Sequence, residues 1–586
     1  MSKSNQNSSN NLEHIRHSLA HLLAASVMEL WPSAKRAIGP AIDNGFYFDF
    51  EFEKPISEAD LPRIEKKMRE ILPSWDKFIK HELTAEAAKK EYPGNPYKHE
   101  LIDDFSEGDK KKLSFYKSGD YWDLCAGGHV ESAKEIDPQS FMLHRLAGAY
   151  WRGSEKNPML TRIYGLAFES KNDLAEYLKL LAEAEKRDHK KLGPKLELFA
   201  FHNTAPGMPY WLPKGVALYN ELVNFWRREH HTRGYQEIVS PLLNKKELYI
   251  TSGHFEHYWP DMFTLKTEGE EYGLKAMNCP NAMIVYSLKS RSYRDLPLRL
   301  SDMDSLHRNE LSGTLNGLFR VREFRQDDAH IFVSEDQIAE EYERVFEIVE
   351  RFYSILGLGY SYRLGTRPEN FMGDKKTWDE AESTLEKILK KSKKQFAVGE
   401  KEGAFYGPKV DILMNDALNR QWQMGTIQLD FQQPRRFKLE YIDKDGQKKT
   451  PVAIHRVIYG SLERFIGILI EHFAGAFPLW LAPVQIAILP ISDEVNEYAQ
   501  EISSSLSSPL MGEGRVRVVV DDRSESIGKK IREAEMQKIP YMIIVGKKEA
   551  AQKSISVRAR GEKDMGTMSL ETFAAKIEEE IRTKAL

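Results

Sequence analysis

The sequence predicts a multidomain α+β protein: an N-terminal α/β domain, a central domain on antiparallel strands, and a C-terminal α/β domain. Three observations carry this expectation. At 586 residues the chain is too long for a single hydrophobic core. The stretches LPLRLSDMDSLHRNE and FRVREFRQDDAHIFV, joined by the glycine-containing LSGTLNG, read as two antiparallel strands and their loop. Near the C-terminus, VQIAILPI, RVRVVVDDR and PYMIIVG read as buried strands separated by the helices EVNEYAQEISSS and SIGKKIREAEMQKI, the order of a small parallel α/β unit.

The totals agree. Hydrophobic content of 41% and aromatic content of 11% are those of a globular protein, and no apolar run is long enough to span a bilayer. Two cysteines far apart, Cys125 and Cys279, argue against a disulfide framework and fit a reducing cytoplasm. A net charge of −4 argues against indiscriminate coating of nucleic acid but permits a local basic surface. The first eleven residues, MSKSNQNSSNN, are polar and read as a disordered tail rather than a signal peptide.

From residue 12, LEHIRHSLAHLLAASVMELW reads as an amphipathic helix whose stripe is Ile15, Leu19, Leu22, Leu23, Val27 and Leu30. His17 and His21, one turn apart, fall on the other side with His14 and Met28. Further on, YWDLCAGGHVE places a scarce cysteine, Cys125, in a glycine-broken turn before His129. HxxxH and CxxxH together form a four-ligand set that suits zinc by residue type. Residues 12–170 form the first domain, a charged helix over 171–194 links it onward, and Gly193-Pro194 marks a boundary. The central domain covers 195–480 and the last 481–586. SSPLMGEG, between a helix and a strand of the last domain, has no assigned role.

In FRVREFRQDDAHIFV, alternation puts Arg320, Arg322, Gln326, Asp328 and His330 on one face. So polar a face either meets solvent or lines a pocket. The chain has no GxxxxGK[ST] loop and no GxGxxG turn, so a glycine-cradled nucleotide site is not expected.

FRxRxFxQDDAH, with HRNE before it and GSLERFIG after it, resembles motifs 2 and 3 of the class II aminoacyl-tRNA synthetases. GYQEIVSPLL resembles motif 1. Within that class, MNCP, QDDAHIF, EGAFYGPKVD, QLDF, VAIHR and GSLERFIGILIEHFAG are similar to the blocks of the threonyl-tRNA synthetase family, in the family's order from about residue 12 to the end. The family commonly carries a further ubiquitin-like domain at its N-terminus, for which the resemblance leaves no room here.

The resemblance implies an N-terminal editing domain, a class II synthetase antiparallel-sheet catalytic domain of six or more strands, and a C-terminal α/β anticodon-binding domain. It implies a cytoplasmic homodimer that attaches L-threonine to tRNA(Thr) with ATP and Mg²⁺. Arg308 would hold the α-phosphate, Arg320 and Arg464 the far phosphates, and Glu310 the adenine amino group. Permanently charged, two-pronged guanidinium groups suit phosphate. Cys279, His330 and His455 would hold Zn²⁺; the bland alternative for Cys279 is a packed free thiol. Asp328 would take the substrate ammonium, with Gln326, Tyr406, Lys409, Gln423 and Gln428 around it. Because Gln423 and Gln428 are five residues apart, either a bulge near Gly425 aligns them or one lies outside the pocket.

Serine lacks only threonine's methyl, a difference of roughly 10–200-fold in a pocket, so a second, hydrolytic site is required. By resemblance His17, His21, Cys125 and His129 form it, without a structural metal, with Asp123, Tyr47, Phe48 and Lys98 nearby. Metal-loaded and purely structural versions of this cluster are the alternatives. The family often has Pro where Gly128 stands, which predicts a more flexible turn. In DDRSESIGKKIREAE, Arg523, Lys529, Lys530 and Arg532 would contact phosphates and Glu533 an anticodon base; each alone reads as a solvated charge. The rival readings are a prolyl- or seryl-type class II enzyme and a non-catalytic RNA-binding paralogue.

Overall fold

The computed structural model describes residues 3–106, 112–416, 420–507, 516–561 and 563–586. All but Ser507 of the SSPLMGEG loop therefore lies outside the described residues. Contacts divide the chain into two compact units, 1–183 and 184–586.

The first unit opens on helix α1 (Lys3–Leu30). The helix begins well before residue 12, through the stretch expected to be a disordered tail. Once a helix is nucleated, each added residue fixes one hydrogen bond at little cost, so polar residues can prolong it. Ile15, Leu19, Leu22, Leu23 and Val27 are buried as the stripe predicts, packed on β1 (Gly45–Glu51) and the rest of an antiparallel five-stranded sheet. A second, three-stranded antiparallel sheet holds Ile79–Leu83, β2 (Leu113–Ser118) and β3 (Tyr121–Leu124). Helix α2 (Lys171–Arg187) follows, and the division between the units falls within it.

The second unit starts its core with α3 (His189–Lys195) and α4 (Pro213–His231). Its eight-stranded sheet runs in the order Gln236–Glu237, β4 (Leu298–Asp302), β7 (Asp328–Val333), β10 (Val452–Val457), β9 (Gln421–Asp430), β8 (Lys409–Asn415), Gly359–Gly365 and Phe396–Gly399. The six inner strands are mutually antiparallel and the two edge strands pair in parallel. Alternation sorts their side chains. Ala329, Ile331, Val410, Ile412, Ile427, Leu429, Val452 and Ile454 join the main core with α4, the helix Ile338–Ser354 and α5 (Leu462–His472). The residues between them form the opposite face, where the polar side chains collect.

The arginine-rich strand is not continuous. Arg320 and Arg322 lie before β6 (Glu323–Arg325), which pairs with β5 (Ser305–His307), whereas β7 pairs with β4 and β10. The break has a cause: the Asp327 carboxylate accepts the N–H groups of Ile458 and Gly460, and Gln326 bridges to Ser461. The single face expected for Arg320, Arg322, Gln326, Asp328 and His330 is thus corrected to Gln326, Asp328 and His330.

At the C-terminal end, β11 (Ile486–Pro490), β12 (Val518–Val520) and β13 (Tyr541–Val545) are parallel, as the pattern predicts. Two antiparallel strands, Ile555–Ala559 and Lys563–Met568, extend the sheet to five.

Candidate functional site

Across the open face of the large sheet, His330 pairs with His455, His455 with Gln428, and Gln428 with Lys409. Asp328 pairs with Asp302 on the next strand. Directly opposed residues have neighbouring side chains, so four strands deliver one polar row. Above it is a cleft of about 380 Å³. Of the residues singled out from sequence, Cys279, Arg308, Gln326, Asp328, His330, Tyr406, Gln428 and His455 line it.

Lys409 and Gln423 stand just beyond the cleft lining. Gln423 reaches Asp411 at 2.8 Å, and Lys409 reaches the same carboxylate at 3.0 Å, so both share the polar face. The required bulge exists: Leu413 pairs with Gln423 and Ile412 with Gly425, leaving Met424 as the extra residue. A Cβ on Gly425 would come within 2.6 Å of the Val457 carbonyl oxygen. The Tyr406 hydroxyl donates to Gln428.

Cys279 begins a helix (Cys279–Ser287), and Asn278 before it donates to Asp328 at 2.7 Å. The rings of His330 and His455 lie 4.9 Å apart. His455 Nε2 donates to Asp430 at 2.9 Å, which leaves Nδ1 with its lone pair. His330 Nδ1 is buried and has no hydrogen-bond partner among the described residues. Burial, with Asp328 and Asp430 close by, pushes the Cys279 thiol well up. Cys279 Sγ lies 3.7 Å from His254 Nε2. Orphaned and lone-pair-bearing donors facing a cleft fit a metal ion, and binding one would also displace the thiol proton. The three are looser than the clusters elsewhere. Among the described residues, groups with all ligand atoms within 4.8 Å of one another are His17/His21/Cys125/His129 and Asp188/His189/Glu471.

Beside the cleft, three guanidinium groups gather. Arg464, near the start of α5, donates to the Phe319 carbonyl at 2.9 Å; burial and then the charges of Arg308 and Arg320 lower its pKa. Arg320 pairs with Glu310 at 2.8 Å. Among the described residues neither Arg308 nor Arg464 has an ion-pair partner, so the cluster carries uncompensated positive charge suited to an anion. Sequence reasoning missed His254, Asn278 and Asp430. Asp430 was legible, being two residues beyond Gln428 on the same face; His254 opens a five-residue helix (His254–Tyr258), too short to give such a signal.

In the first unit, α1 delivers His17 and His21, and the turn after β3 delivers Cys125 and His129. Cys125 Sγ lies 3.5 Å from His17 Nε2 and 3.3 Å from His129 Nε2. The other ring nitrogens are engaged by the Gly128 carbonyl (3.2 Å) and the Ser18 hydroxyl (3.3 Å). Gly127 and Gly128 have φ of +107° and +88°, and proline could not adopt the latter. Asp123 is buried with Lys98 at 2.8 Å and accepts from Tyr92 and Tyr121. Burial opposes its charge, but Lys98 and Arg36 hold the carboxyl well below its usual range. Phe48 is buried beneath Lys98, and the Arg162 guanidinium covers Tyr47. Burial raises the Cys125 thiol to about 11 and depresses His21 to about 3, with His17 and His129 lowered by the same cause. At neutral pH the cluster is uncharged and its thiol is not a thiolate.

That depression has a pH consequence. Above the ordinary value of 6.5, His21 is neutral in both folded and unfolded chain; below it only the unfolded chain takes up the proton. The stabilisation is present above pH 6.5 and lost as pH falls, and about 2 kcal/mol from His21 alone is gone near pH 5. Thermal melts of the full chain at the two pH values should show the transition of the first unit moving down on acidification. An unmoved transition would contradict a buried, neutral imidazole.

In the C-terminal sheet region, a groove of about 470 Å³ is lined by Lys214, Asp521, Arg523, Lys530 and Glu533 among others. Arg523 pairs with Asp521 and Glu533, and Lys529 with Glu525. Arg532 is exposed away from the groove lining. Lys530 differs from the expected exposed phosphate contact. It is buried, and its ammonium donates to the carbonyls of Pro490 (3.0 Å) and Asp521 (2.8 Å), tying two strand ends together.

Three regions of the chain match known protein families. Residues 263–473 match the tRNA synthetase class II core domain (G, H, P, S and T), 485–580 the anticodon binding domain, and 113–164 the threonyl and alanyl tRNA synthetase second additional domain. The threonine–tRNA ligase of Caldanaerobacter subterraneus subsp. tengcongensis is 50% identical over 97% of this chain and 87% of its own. That of Acetivibrio thermocellus is 49% identical over 97% and 88%. A crystal structure of the RNA binding domain of threonyl-tRNA synthetase from Cryptosporidium parvum is 41% identical with a TM-score of 0.64, covering 67% of this chain and 98% of that one. This chain therefore belongs to the threonine–tRNA ligase family.

Proposed function

We propose that the chain condenses L-threonine with ATP to threonyl-adenylate, transfers the threonyl group to the terminal ribose of tRNA(Thr), and hydrolyses Ser-tRNA(Thr) at a second site. The observation that carries this reading is the juxtaposition of a row of metal-competent and hydrogen-bonding side chains with an arginine cluster of which only Arg320 has an ion-pair partner among the described residues.

In this mechanism Asp328, oriented by Asn278, receives the substrate ammonium. Gln326, Tyr406, Lys409, Gln423 and Gln428 shape and hydrogen-bond the pocket. Arg308 holds the α-phosphate against the threonine carboxylate, and Arg320 and Arg464 hold the departing pyrophosphate, whose charge Mg²⁺ would help to offset when bound. Glu310 meets the adenine amino group. These fixed charges oppose the negative charge that develops in the transition state. A zinc ion held by Cys279, His330 and His455 would offer open positions to the amino and hydroxyl groups of threonine. Valine, lacking the hydroxyl, is then rejected because the site stays unsatisfied.

At the second site the uncharged His17, His21 and His129 rings hold a water by hydrogen bonds. It attacks the seryl ester carbonyl, its proton passes to the departing ribose oxygen, and serine and free tRNA result, while Asp123 and Lys98 fix the wall on which the ester lies. The groove with Arg523 and Glu533 receives the anticodon, with Lys529 and Arg532 at its margins. The domains run 12–170, 195–480 and 481–586, with 171–194 leading from the first to the second. Val239, 83% exposed beside the edge strand Gln236–Glu237 in the motif 1 segment, supports a homodimer. No helix among the described residues is long and apolar enough to cross a membrane, which accords with a cytoplasmic place.

The test is amino-acid-dependent ATP–pyrophosphate exchange on purified protein, before and after chelation, alongside metal analysis. Threonine should support exchange, valine should not, and stripping zinc should reduce the threonine rate at least about 100-fold, with recovery on adding Zn²⁺ back. Exchange that survives complete chelation, or that favours valine, would refute the metal-dependent reading.

A further inference from the structure

His189 opens α3, is not among the residues that line the cleft, and is completely buried. Its Nδ1 donates to Glu471 at 2.7 Å, and its Nε2 accepts the backbone N–H of Leu318 at 3.0 Å. Its ring packs on Phe319 with centroids 4.0 Å apart. Lys190 adds a hydrogen bond to the Asn316 side chain at 3.2 Å. The segment 316–320 is therefore gripped from one side by two adjacent residues. Gly317 has φ of +51°, and a Cβ there would meet His189 Nε2 at 2.3 Å, so backbone and imidazole are in closest approach.

What this segment carries matters. The Phe319 carbonyl accepts from Arg464 Nε, which fixes the orientation of that guanidinium, and Arg320 is the next residue. Glu471, the other partner of His189, lies on the same helix as Arg464 and is held by Arg420, which in turn donates to Asp416 at 2.7 Å. Asp188, His189 and Glu471 bring three donors close enough for a cation. Because both nitrogens of His189 are already engaged, the trio works as a hydrogen-bond relay instead.

We infer that His189 is a positioning residue for phosphate binding: by joining the Leu318 amide to Glu471, it holds Phe319 and hence Arg464 and Arg320 in the pose that receives the far phosphates of ATP. This rests on the assignment of Arg464 and Arg320 to those phosphates. The imidazole touches no substrate; it acts through two main-chain groups and one carboxylate. Glutamine at 189 can still place an acceptor near the Leu318 amide, while the backbone N–H of residue 189 continues to reach Glu471 (3.2 Å here). Asparagine is one carbon shorter and cannot reach that amide.

The experiment uses the full chain and steady-state exchange, with KM measured separately for ATP and threonine in His189→Ala, His189→Gln, His189→Asn and Arg464→Ala. His189→Ala should raise KM for ATP about tenfold with KM for threonine within about twofold. His189→Gln should recover most of the ATP affinity and His189→Asn should not. If His189→Ala fails to fold, the glutamine–asparagine contrast decides. The inference is overturned if the threonine KM rises in parallel, if the ATP KM stays at the wild-type value, or if the two amides behave alike. An Arg464→Ala variant with normal ATP KM would instead remove the phosphate assignment itself.

Discussion

Arg308→Ala is expected to lower threonine-dependent exchange by about 10²–10³-fold, the loss typical of removing one preorganised donor from a developing oxyanion. Arg308 lines the cleft and lies over the Phe324 ring at 5.0 Å, with only a long contact of 3.4 Å to the Ala276 carbonyl. Its charge is therefore committed to no carboxylate among the described residues. Because the guanidinium also opposes Arg464, the pair is repulsive until an anion arrives, and that repulsion favours occupancy. A lysine in its place keeps the charge but loses the two-pronged geometry, so Arg308→Lys should restore only part of the rate. Near-normal exchange by Arg308→Ala would remove this arginine from the chemistry.

His21→Ala combined with Cys125→Ala should let Ser-tRNA(Thr) accumulate while threonine activation stays at the wild-type rate. The first half follows from discrimination: one methyl separates the substrates by about 10–200-fold, so serine is charged steadily whenever the hydrolytic site fails. The second half follows from composition, since the unit spanning 1–183 contributes none of the cleft lining. The protonated state of Cys125 adds a distinction. With a thiol raised to about 11, attack on the ester by sulfur is unfavourable near neutrality, which favours the proposed water as nucleophile. Deacylation of preformed Ser-tRNA(Thr) is the measurement, and clearance by the double variant at the wild-type rate would show that the site lies elsewhere.

Much of this is legible in the sequence alone. The stripe on α1, the parallel strands of the C-terminal region and the pairing of the two central strands follow from alternation and helical spacing, because burial repeats with the geometry of the element. His330, His455 and Gln428 came from resemblance, and the sheet supplies the physical reason they meet: each is directly opposed to the next. What stayed hidden depends on contacts that no local pattern encodes. Asp327 breaks the arginine strand by accepting two amides from residues more than a hundred positions away. Lys530 looks like any surface lysine in GKKIREAE, yet two carbonyls remote in sequence bury it. His254 enters the cleft from the start of a helix of five residues, too short for periodicity to show which side faces inward.

Met424 works as a phase shifter. On its N-terminal side the odd-numbered Gln421 and Gln423 carry the wet alternation; on its C-terminal side the even-numbered Thr426, Gln428 and Asp430 do. A reader stepping by two along this stretch would judge it incoherent, although each half is perfectly regular. Shortening the chain by that one residue would leave both halves in step, whereas any side chain at Gly425 would wedge the neighbouring strand away.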